Sequence, residues 1–397
     1  MDKLKIGVIG LGQRGYMVLK NVLVNMEKIE ITALCDVYED RIQKASDLVN
    51  EKCGYRPEIN TDNYTQVVDS ENVDAIIIFA AWEMHTPIAI YAMKKKKIVG
   101  LEVGGAYSIE QCWDLVKTYE ETKTPIMLLE NCCYGRIELM LIKMIKDGVF
   151  GTVSHCDGAY AHDLRGEVAD GITKRHYRLR NYLNRNCDNY PTHELGPIAQ
   201  MLNINRGNRM ISLVSMSSKS AGMKEFIKEK RADDEYLLNA EFAQGDVVTT
   251  IIKCAHGETI RLTLETTLPR YYSRGITVHG TKAFYEESTD AFVFDGAEHS
   301  VSKDNWGNAD KYREKYEHPI WKKYLKEGVK EGHGGMDWLV FDDFINCAIE
   351  KKPMPIDVYD AATWMSITTL TEESIMHGGM PVTIPDFTNG KWCREYK

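Results

Sequence analysis

The chain predicts an α/β fold class: an N-terminal doubly wound parallel sheet, followed by an α+β domain with an open, mainly antiparallel sheet. Three observations carry this reading. Apolar strand runs alternate with amphipathic helix patterns through the first third of the chain. A glycine turn, Gly10-Leu-Gly12-Gln13-Arg14-Gly15, joins the first strand to the first helix. Beyond Glu130 the runs become β-rich and are spaced by turn residues. A length of 397 residues is ample for two domains, each with its own core.

In chain order, strands are expected at Lys5–Ile9, Glu30–Cys35, Ala75–Phe79, Ile98–Leu101 and Pro125–Leu129, with amphipathic helices between them. The lysine run from Lys94 to Lys97 closes one of these helices, where it complements the helix dipole. A helix is then expected at Arg136–Lys146, and strands at Val153–Tyr160, Tyr236–Phe242, Val247–Cys254, Thr259–Thr266 and Gly275–Gly280. A polar, turn-rich stretch from Asp295 to Lys330 precedes two late helices, Met336–Glu350 and Val358–Met376. No internal repeat or low-complexity segment is present.

Composition excludes some classes of function. With 49 basic and 58 acidic residues, a net charge of -9 argues against a nucleic-acid or anionic-membrane partner. Ten cysteines form no Cys-x-x-Cys, and the adjacent Cys132 and Cys133 fall in a core segment, where small buried thiols are expected rather than a redox pair. The chain enters its first strand without an apolar signal region, and no apolar run reaches membrane-spanning length, so a cytoplasmic protein is expected. The histidines are scattered, with no His-x-x-x-His pair, and no metal is expected. A Gly-x-Ser-x-Gly elbow is absent as well.

The glycine turn is the first chemical signal. Gly10, Gly12 and Gly15, with Gln13 and Arg14 between them, let backbone amides approach a pyrophosphate at a helix N-terminus. Asp36 ends the second strand, where a carboxylate accepts from the adenine-ribose hydroxyls and repels a 2'-phosphate, which favours NAD over NADP. Trp82 and His85 leave the third recognised strand on the ligand side of such a sheet. Trp82 is expected to flank the dinucleotide; for His85 a cofactor contact and local packing at a helix start weigh equally. Glu102, at the end of the fourth strand, is placed on a ribose, and Asn131 completes the cofactor set. The domains are therefore read as 1–130, an NAD-binding Rossmann domain, and 131–397, a substrate-binding and oligomerisation domain whose C-terminal helices can pack back on the first.

Five further segments carry a resemblance over nearly the whole chain: Leu129-Glu130-Asn-Cys-Cys-Tyr134-Gly-Arg136, Gly158-Ala-Tyr160-Ala-His162-Asp163-Leu-Arg165, Tyr190-Pro-Thr-His193, Asn203-Ile-Asn205-Arg206-Gly207 and Gly332-His333-Gly-Gly-Met336-Asp337. The layout resembles the glucose-fructose oxidoreductase / inositol dehydrogenase / MocA superfamily, and within it glycoside hydrolase family 109, the NAD-dependent alpha-N-acetylgalactosaminidases. The Glu-Lys-Pro of the superfamily's sugar dehydrogenases reads Glu102-Val103-Gly104 here, and family 109 resembles this chain in lacking that lysine.

This resemblance implies a hydrolysis that borrows oxidation, unlike the two-carboxylate scheme of most glycosidases. Bound NAD+ takes a hydride from sugar C3, a base removes the acidified C2 hydrogen, the C1 substituent is eliminated, water adds, and the hydride returns. The cycle is redox-neutral, so the cofactor stays bound. His193 suits the C3 hydroxyl proton, since imidazole titrates nearest neutral pH. Tyr160 is the expected C2 base, with its phenol tuned by the cation of Arg178, and Tyr190 sits in the same motif as His193. Glu130, Arg178, Tyr272 and His333 are the expected sugar contacts, Tyr272 lying in Pro269-Arg-Tyr-Tyr272-Ser-Arg274.

Two positions depart from the family: Glu194 stands where glycine is more common, and Ala81 replaces a proline before Trp82. The alternative function is an NAD-dependent sugar or inositol dehydrogenase, against which the missing lysine counts. The expected partners are a small glycoside and further copies of the chain, because an open sheet face needs cover.

Overall fold

The computed structural model describes residues 3–296 and 305–393. The chain divides into two compact units, residues 1–134 with 327–362, and residues 135–326 with 363–397.

Through residue 134 the strands are β1 (Leu4–Ile9), β2 (Ile29–Cys35), β3 (Ile59–Thr61), β4 (Ala75–Ile78), β5 (Ile98–Leu101) and β6 (Ile126–Leu128). The helices are α1 (Gln13–Asn21), α2 (Glu39–Cys53), α3 (Tyr64–Asp69), α4 (Trp82–Lys94) and α5 (Ile109–Thr122). Onward come α6 (Arg136–Lys146), β7 (Val153–Ala161), α7 (Arg165–Ala169), α8 (Arg178–Asn184), α9 (Thr192–Met201), β8 (Met210–Ser217), α10 (Gly222–Lys230) and α11 (Glu235–Asn239). The chain continues through β9 (Val247–Cys254), β10 (Thr259–Glu265), β11 (Thr277–Gly280), β12 (Ala283–Glu286), β13 (Ala291–Phe294), α12 (Asp310–Tyr316) and α13 (Pro319–Glu327). It closes with α14 (Met336–Glu350), α15 (Val358–Met376) and β14 (Val382–Thr383).

The first unit holds a six-stranded parallel sheet in the order β3-β2-β1-β4-β5-β6. Helices must cover both faces of a parallel sheet, so its strands read as unbroken apolar runs, and every residue of β4 is buried. Chain direction across the sheet reverses between β1 and β4, which opens a crevice at the strand ends. Helix α14 contributes to this unit's core, with Phe341 ring-to-ring with Phe79 at 6.1 Å and Phe344 against Gly100.

The second unit holds an eight-stranded sheet, β13-β12-β11-β7-β10-β9-β8-β14, antiparallel except for the β7–β10 pair. Alternate residues of β9 are buried and exposed, the signature of a sheet covered on one face by its own chain.

Two expectations are corrected. Tyr236–Phe242 does not form a strand: Asp234 caps a helix by accepting from the Leu237 amide at 3.0 Å, and Tyr236 and Leu238 face solvent. Within Asp295–Lys330, of which 297–304 lie outside the described residues, α12 and α13 form; α13 anchors itself with buried Trp321 and Tyr324. The short edge strand β3 carries no apolar run in the sequence, because its residues are not buried. Lys96 and Lys97, after α4, spend their ammonium groups on backbone carbonyls of Thr122, Ser70 and Val73. No helix among the described residues is long and apolar enough to cross a membrane.

Candidate active site

In the first unit the glycine turn leaves β1 at the crevice and opens α1 at Gln13. Gly10 adopts φ +94°, and a Cβ there would lie 2.5 Å from the backbone of Phe79 and Ala80. A Cβ on Gly15 would sit 2.0 Å from the Gly10 carbonyl oxygen, so this turn closes only without side chains. A Cβ on Gly12 meets nothing nearer than Arg41 Nη1 at 3.5 Å, leaving the turn open on that side. The turn and the helix start fit a dinucleotide pyrophosphate.

Asp36 holds the same turn. Its Oδ2 accepts the Leu11 amide at 2.7 Å, its Oδ1 accepts the Tyr38 amide at 3.1 Å, and Arg41 lies 3.7 Å away. Each carboxylate oxygen keeps a further lone pair for a ribose hydroxyl.

Arg14 organises the rim of the crevice. Its Nε donates to Glu102 at 3.0 Å, while Nη1 and Nη2 fork onto the Asp337 carboxylate at 2.8 and 3.0 Å. His333 Nδ1 lies 2.8 Å from Asp337, and Asn131 donates to it at 2.8 Å. The two acids consequently shift in opposite directions. Burial alone would raise Asp337, but hydrogen bonds from His333 and Arg14 hold its carboxyl well below the usual range. Burial raises Glu102, which receives only one arm of Arg14 and the Val103 amide. A run of left-handed glycines, Gly332, Gly334 and Gly335, wraps the chain around Asp337.

Trp82 is buried at the start of α4, against Gly104, where a Cβ would stand 2.4 Å from the indole. The Val103-Gly104 pair therefore gives the indole its seat, and Val103 itself is buried. His85 is buried too: Nε2 bonds to the Ala80 carbonyl at 2.9 Å, and burial pushes its pKa down to about 4. A neutral imidazole here, donating through Nε2, ties α4 back to the loop after β4. Glu130 is fully buried, with Oε1 accepting the Cys132 amide at 3.0 Å. Cys132 and Cys133 are buried thiols outside any disulfide.

The second unit gathers the remaining candidates. Gly158 on β7 lets α9 lie close, since a Cβ there would be 2.9 Å from the Glu194 carbonyl. Tyr160, two residues along on the same face, thereby meets the start of α9. Its ring lies 4.6 Å from Tyr190 and 5.6 Å from His193, and Tyr190 meets His193 edge-on at 4.8 Å. The guanidinium of Arg178, on α8, sits 4.9 Å over the Tyr190 ring and pairs with the Glu167 carboxylate, Nε to Oε1, at 2.6 Å. Buried among Tyr160, Tyr177 and Tyr182, it stays charged, its pKa well above the ordinary value despite desolvation.

His162 and Glu167 belong to this group, although no role was assigned to them from sequence. His162 Nδ1 lies 3.3 Å from the Tyr160 hydroxyl, and its ring is 5.2 Å from half-exposed Tyr272. Burial and then Arg178 push the His162 pKa down. The two-residue spacing from Tyr160, which puts His162 just past the end of β7, was the available signal. Asp337 was equally unassigned; its i,i+4 spacing from His333 at a helix start marked it.

Thus Gly10, Gly12, Gln13, Arg14, Gly15, Asp36, Trp82, His85, Glu102, Glu130, Asn131 and His333 lie in the first unit, and Tyr160, Arg178, Tyr190, His193 and Tyr272 in the second. His333, expected at the sugar, adjoins Arg14 and Asp337.

Comparison with known proteins agrees with both halves. Residues 4–129 match the oxidoreductase family with an NAD-binding Rossmann fold, and residues 134–394 match the glycosyl hydrolase 109 C-terminal domain. The chain is 36% identical to an alpha-N-acetylgalactosaminidase of Tannerella forsythia, over 99% of this chain and 88% of the relative. It is 36% identical to an alpha-N-acetylgalactosaminidase of Bacteroides fragilis, over 99% and 93%. Its fold matches the inositol dehydrogenase homolog of Azotobacter vinelandii solved with NADH and myo-inositol, with a TM-score of 0.69 at 16% identity, covering 96% of this chain and 98% of that one.

Proposed function

Because the chain belongs to glycosyl hydrolase family 109, we propose that this enzyme cleaves an alpha-N-acetylgalactosaminide or a related hexoside by oxidation at C3, elimination and re-reduction, with NAD as its retained cofactor. The family and its dinucleotide fold are shown by the matches to both halves of the chain. What carries the mechanistic reading is the grouping of Tyr160, Tyr190 and His193 around Arg178 in the second unit.

A bound nicotinamide supplies the acceptor, and later the donor, of a hydride at sugar C3. His193 is assigned the C3 hydroxyl proton. Tyr160 is assigned the C2 proton; the charge of Arg178, felt at its phenol, favours the phenolate. Tyr190 lies between them and is the third candidate for proton transfer. Arg178 and Tyr272 are assigned to sugar hydroxyls. In the first unit Arg14, held by Glu102 and Asp337, is assigned to the cofactor. Asp36 supports NAD over NADP, since its carboxylate repels a 2'-phosphate.

A cytoplasmic setting is proposed from the ten cysteines outside any disulfide. A homo-oligomer is proposed from exposed Ile211, Met216 and Ile251 on β8 and β9.

The test incubates the purified protein, without added cofactor, with alpha- and beta-linked aryl glycosides in heavy water. Phenol release with deuterium at C2 and no accumulating NADH is expected. Net NADH without phenol would make the protein a dehydrogenase.

A further inference from the structure

Between β10 and β11 the second unit carries a short arm, Arg270-Tyr271-Tyr272-Ser273-Arg274, with an arginine at each end and two exposed tyrosines between them. The two arginines are held differently. Arg270 pairs through Nη1 with Glu265 at the end of β10, at a partly exposed site. Arg274 turns inward onto Glu138, in the first turn of α6, whose carboxyl is fully buried. Its Nε donates to Glu138 Oε1 at 2.5 Å, and its Nη2 pairs with the same oxygen. Among the described residues the other Glu138 oxygen has no hydrogen-bond partner.

The backbone of the arm is laid along the end of β7. Ser273 and Ala161 exchange hydrogen bonds, the Ala161 amide donating at 3.2 Å and the Ser273 amide at 2.9 Å, and the Ala159 amide donates to the Arg274 carbonyl at 2.5 Å. Gly275 then turns the chain at φ +59°, where a Cβ would stand 2.9 Å from that of Ala159. Glu287 closes the turn, its Oε2 accepting from the Ser273 hydroxyl and from the Ile276 amide, each at 3.1 Å. Set in this way, Tyr272 meets His162 edge-on at 5.2 Å, and His162 Nδ1 lies 3.3 Å from the Tyr160 hydroxyl.

A buried ion pair is weak evidence for stability, because desolvation offsets much of its attraction and apolar residues of similar volume often serve as well. Burial accordingly raises the Glu138 pKa, and the charge of Arg274 opposes that rise. What a planar guanidinium gives, and apolar packing does not, is direction: two N–H groups fix the angle of approach as well as the distance. Glu138 stands on a helix and Arg274 is two residues from Tyr272, so that direction passes into the arm.

We propose that Glu138 and Arg274 are positioning residues for Tyr272: their buried pair pins the arm across the end of β7 and holds the tyrosine against His162, where it seats the sugar. That Tyr272 touches sugar rests on the function proposed above; the pinning of the arm does not.

The test uses the cofactor-bound protein and the double variant Glu138→Met/Arg274→Met, which removes both charges together and leaves neither buried alone. Amide hydrogen exchange at Ala159 and Ala161, whose N–H groups bond to the arm, should be roughly tenfold faster or more in this variant. With p-nitrophenyl N-acetyl-alpha-galactosaminide its KM should rise about tenfold while kcat stays within about threefold. Tyr272→Ala should likewise raise KM about tenfold in the natural protein, but by less than about threefold in the double variant, since a displaced Tyr272 has little left to lose. Glu138→Gln, which keeps an acceptor for Arg274, should restore slow exchange and bring KM to within about threefold of the natural value; it carries the test if the double variant does not fold, fast exchange or a KM near that of Tyr272→Ala then counting against the proposal. Unchanged exchange in the double variant overturns the pinning of the arm. Equal effects of Tyr272→Ala in both backgrounds overturn the action through Tyr272. Exchange is read without turnover, so a protein that cleaves no glycoside would refute the glycosidase reading and leave the exchange result to decide the pinning.

Discussion

The two units solve the problem of holding polar groups in different ways. In the first, Arg14, Asp337 and Glu102 are locked in ion pairs, and Asp36 is bonded to the backbone of its own turn. In the second, the cation of Arg178 sits beside a group of titratable rings, Tyr160, Tyr190, His162 and His193. Under the proposed mechanism, fixed charge suits a cofactor that stays bound through a redox-neutral cycle, whereas proton transfer needs groups poised between two states. Holding and reacting are thus assigned to different chemistry.

The strongest way to break this division is His193→Ala. It should lower kcat about 10²- to 10⁴-fold while the protein still elutes with its NAD, as read from cofactor absorbance after gel filtration. A rate near that of the natural protein would remove His193 from the base role. Gly158→Ala tests the second unit without touching a reacting group. Its new Cβ would press on the Glu194 carbonyl at 2.9 Å, so α9 must shift. Stability should fall by about 1–3 kcal/mol, and kcat by up to roughly 10²-fold through misplacement of His193; unchanged kinetics would mean that the contact between β7 and α9 sets nothing.

Asp337→Asn sharpens the comparison from the other side, with the smallest expected effect. The Asp337 carboxyl is held low by His333 and Arg14, so its stabilisation is present above the unfolded value and lost as pH falls through the folded one. The variant should lose on the order of 2 kcal/mol at neutral pH, with NAD retention weakened and kcat changed only a few-fold. Thermal midpoints should converge as the solution is acidified. A constant gap down to acid pH would mean that the charge of Asp337 is not what holds the fold.

How far the sequence spoke follows from what each segment touches. The parallel strands were legible because both faces are buried, as the all-apolar β4 shows. β3 was not, since an edge strand needs no apolar run. Tyr236–Phe242 looked β-rich, but Tyr236 and Leu238 face solvent, and Asp234 wrote the stronger signal. In the site, glycine spacing and Asp36 announced the cofactor turn from local pattern alone. The contacts of Asp337 with Arg14, over 300 residues away in sequence, depend on tertiary structure that no local pattern reports.

The glycine turn also sets which parts of the cofactor site can evolve. At Gly10 and Gly15 an added methyl would strike backbone, which cannot swing aside. At Gly12 it would reach only the flexible end of Arg41, the residue that also stands beside Asp36. Selection for a different dinucleotide therefore has a frozen floor and one adjustable edge. Variants that change cofactor preference should accumulate at Gly12, Asp36 and Arg41, leaving the other two glycines untouched.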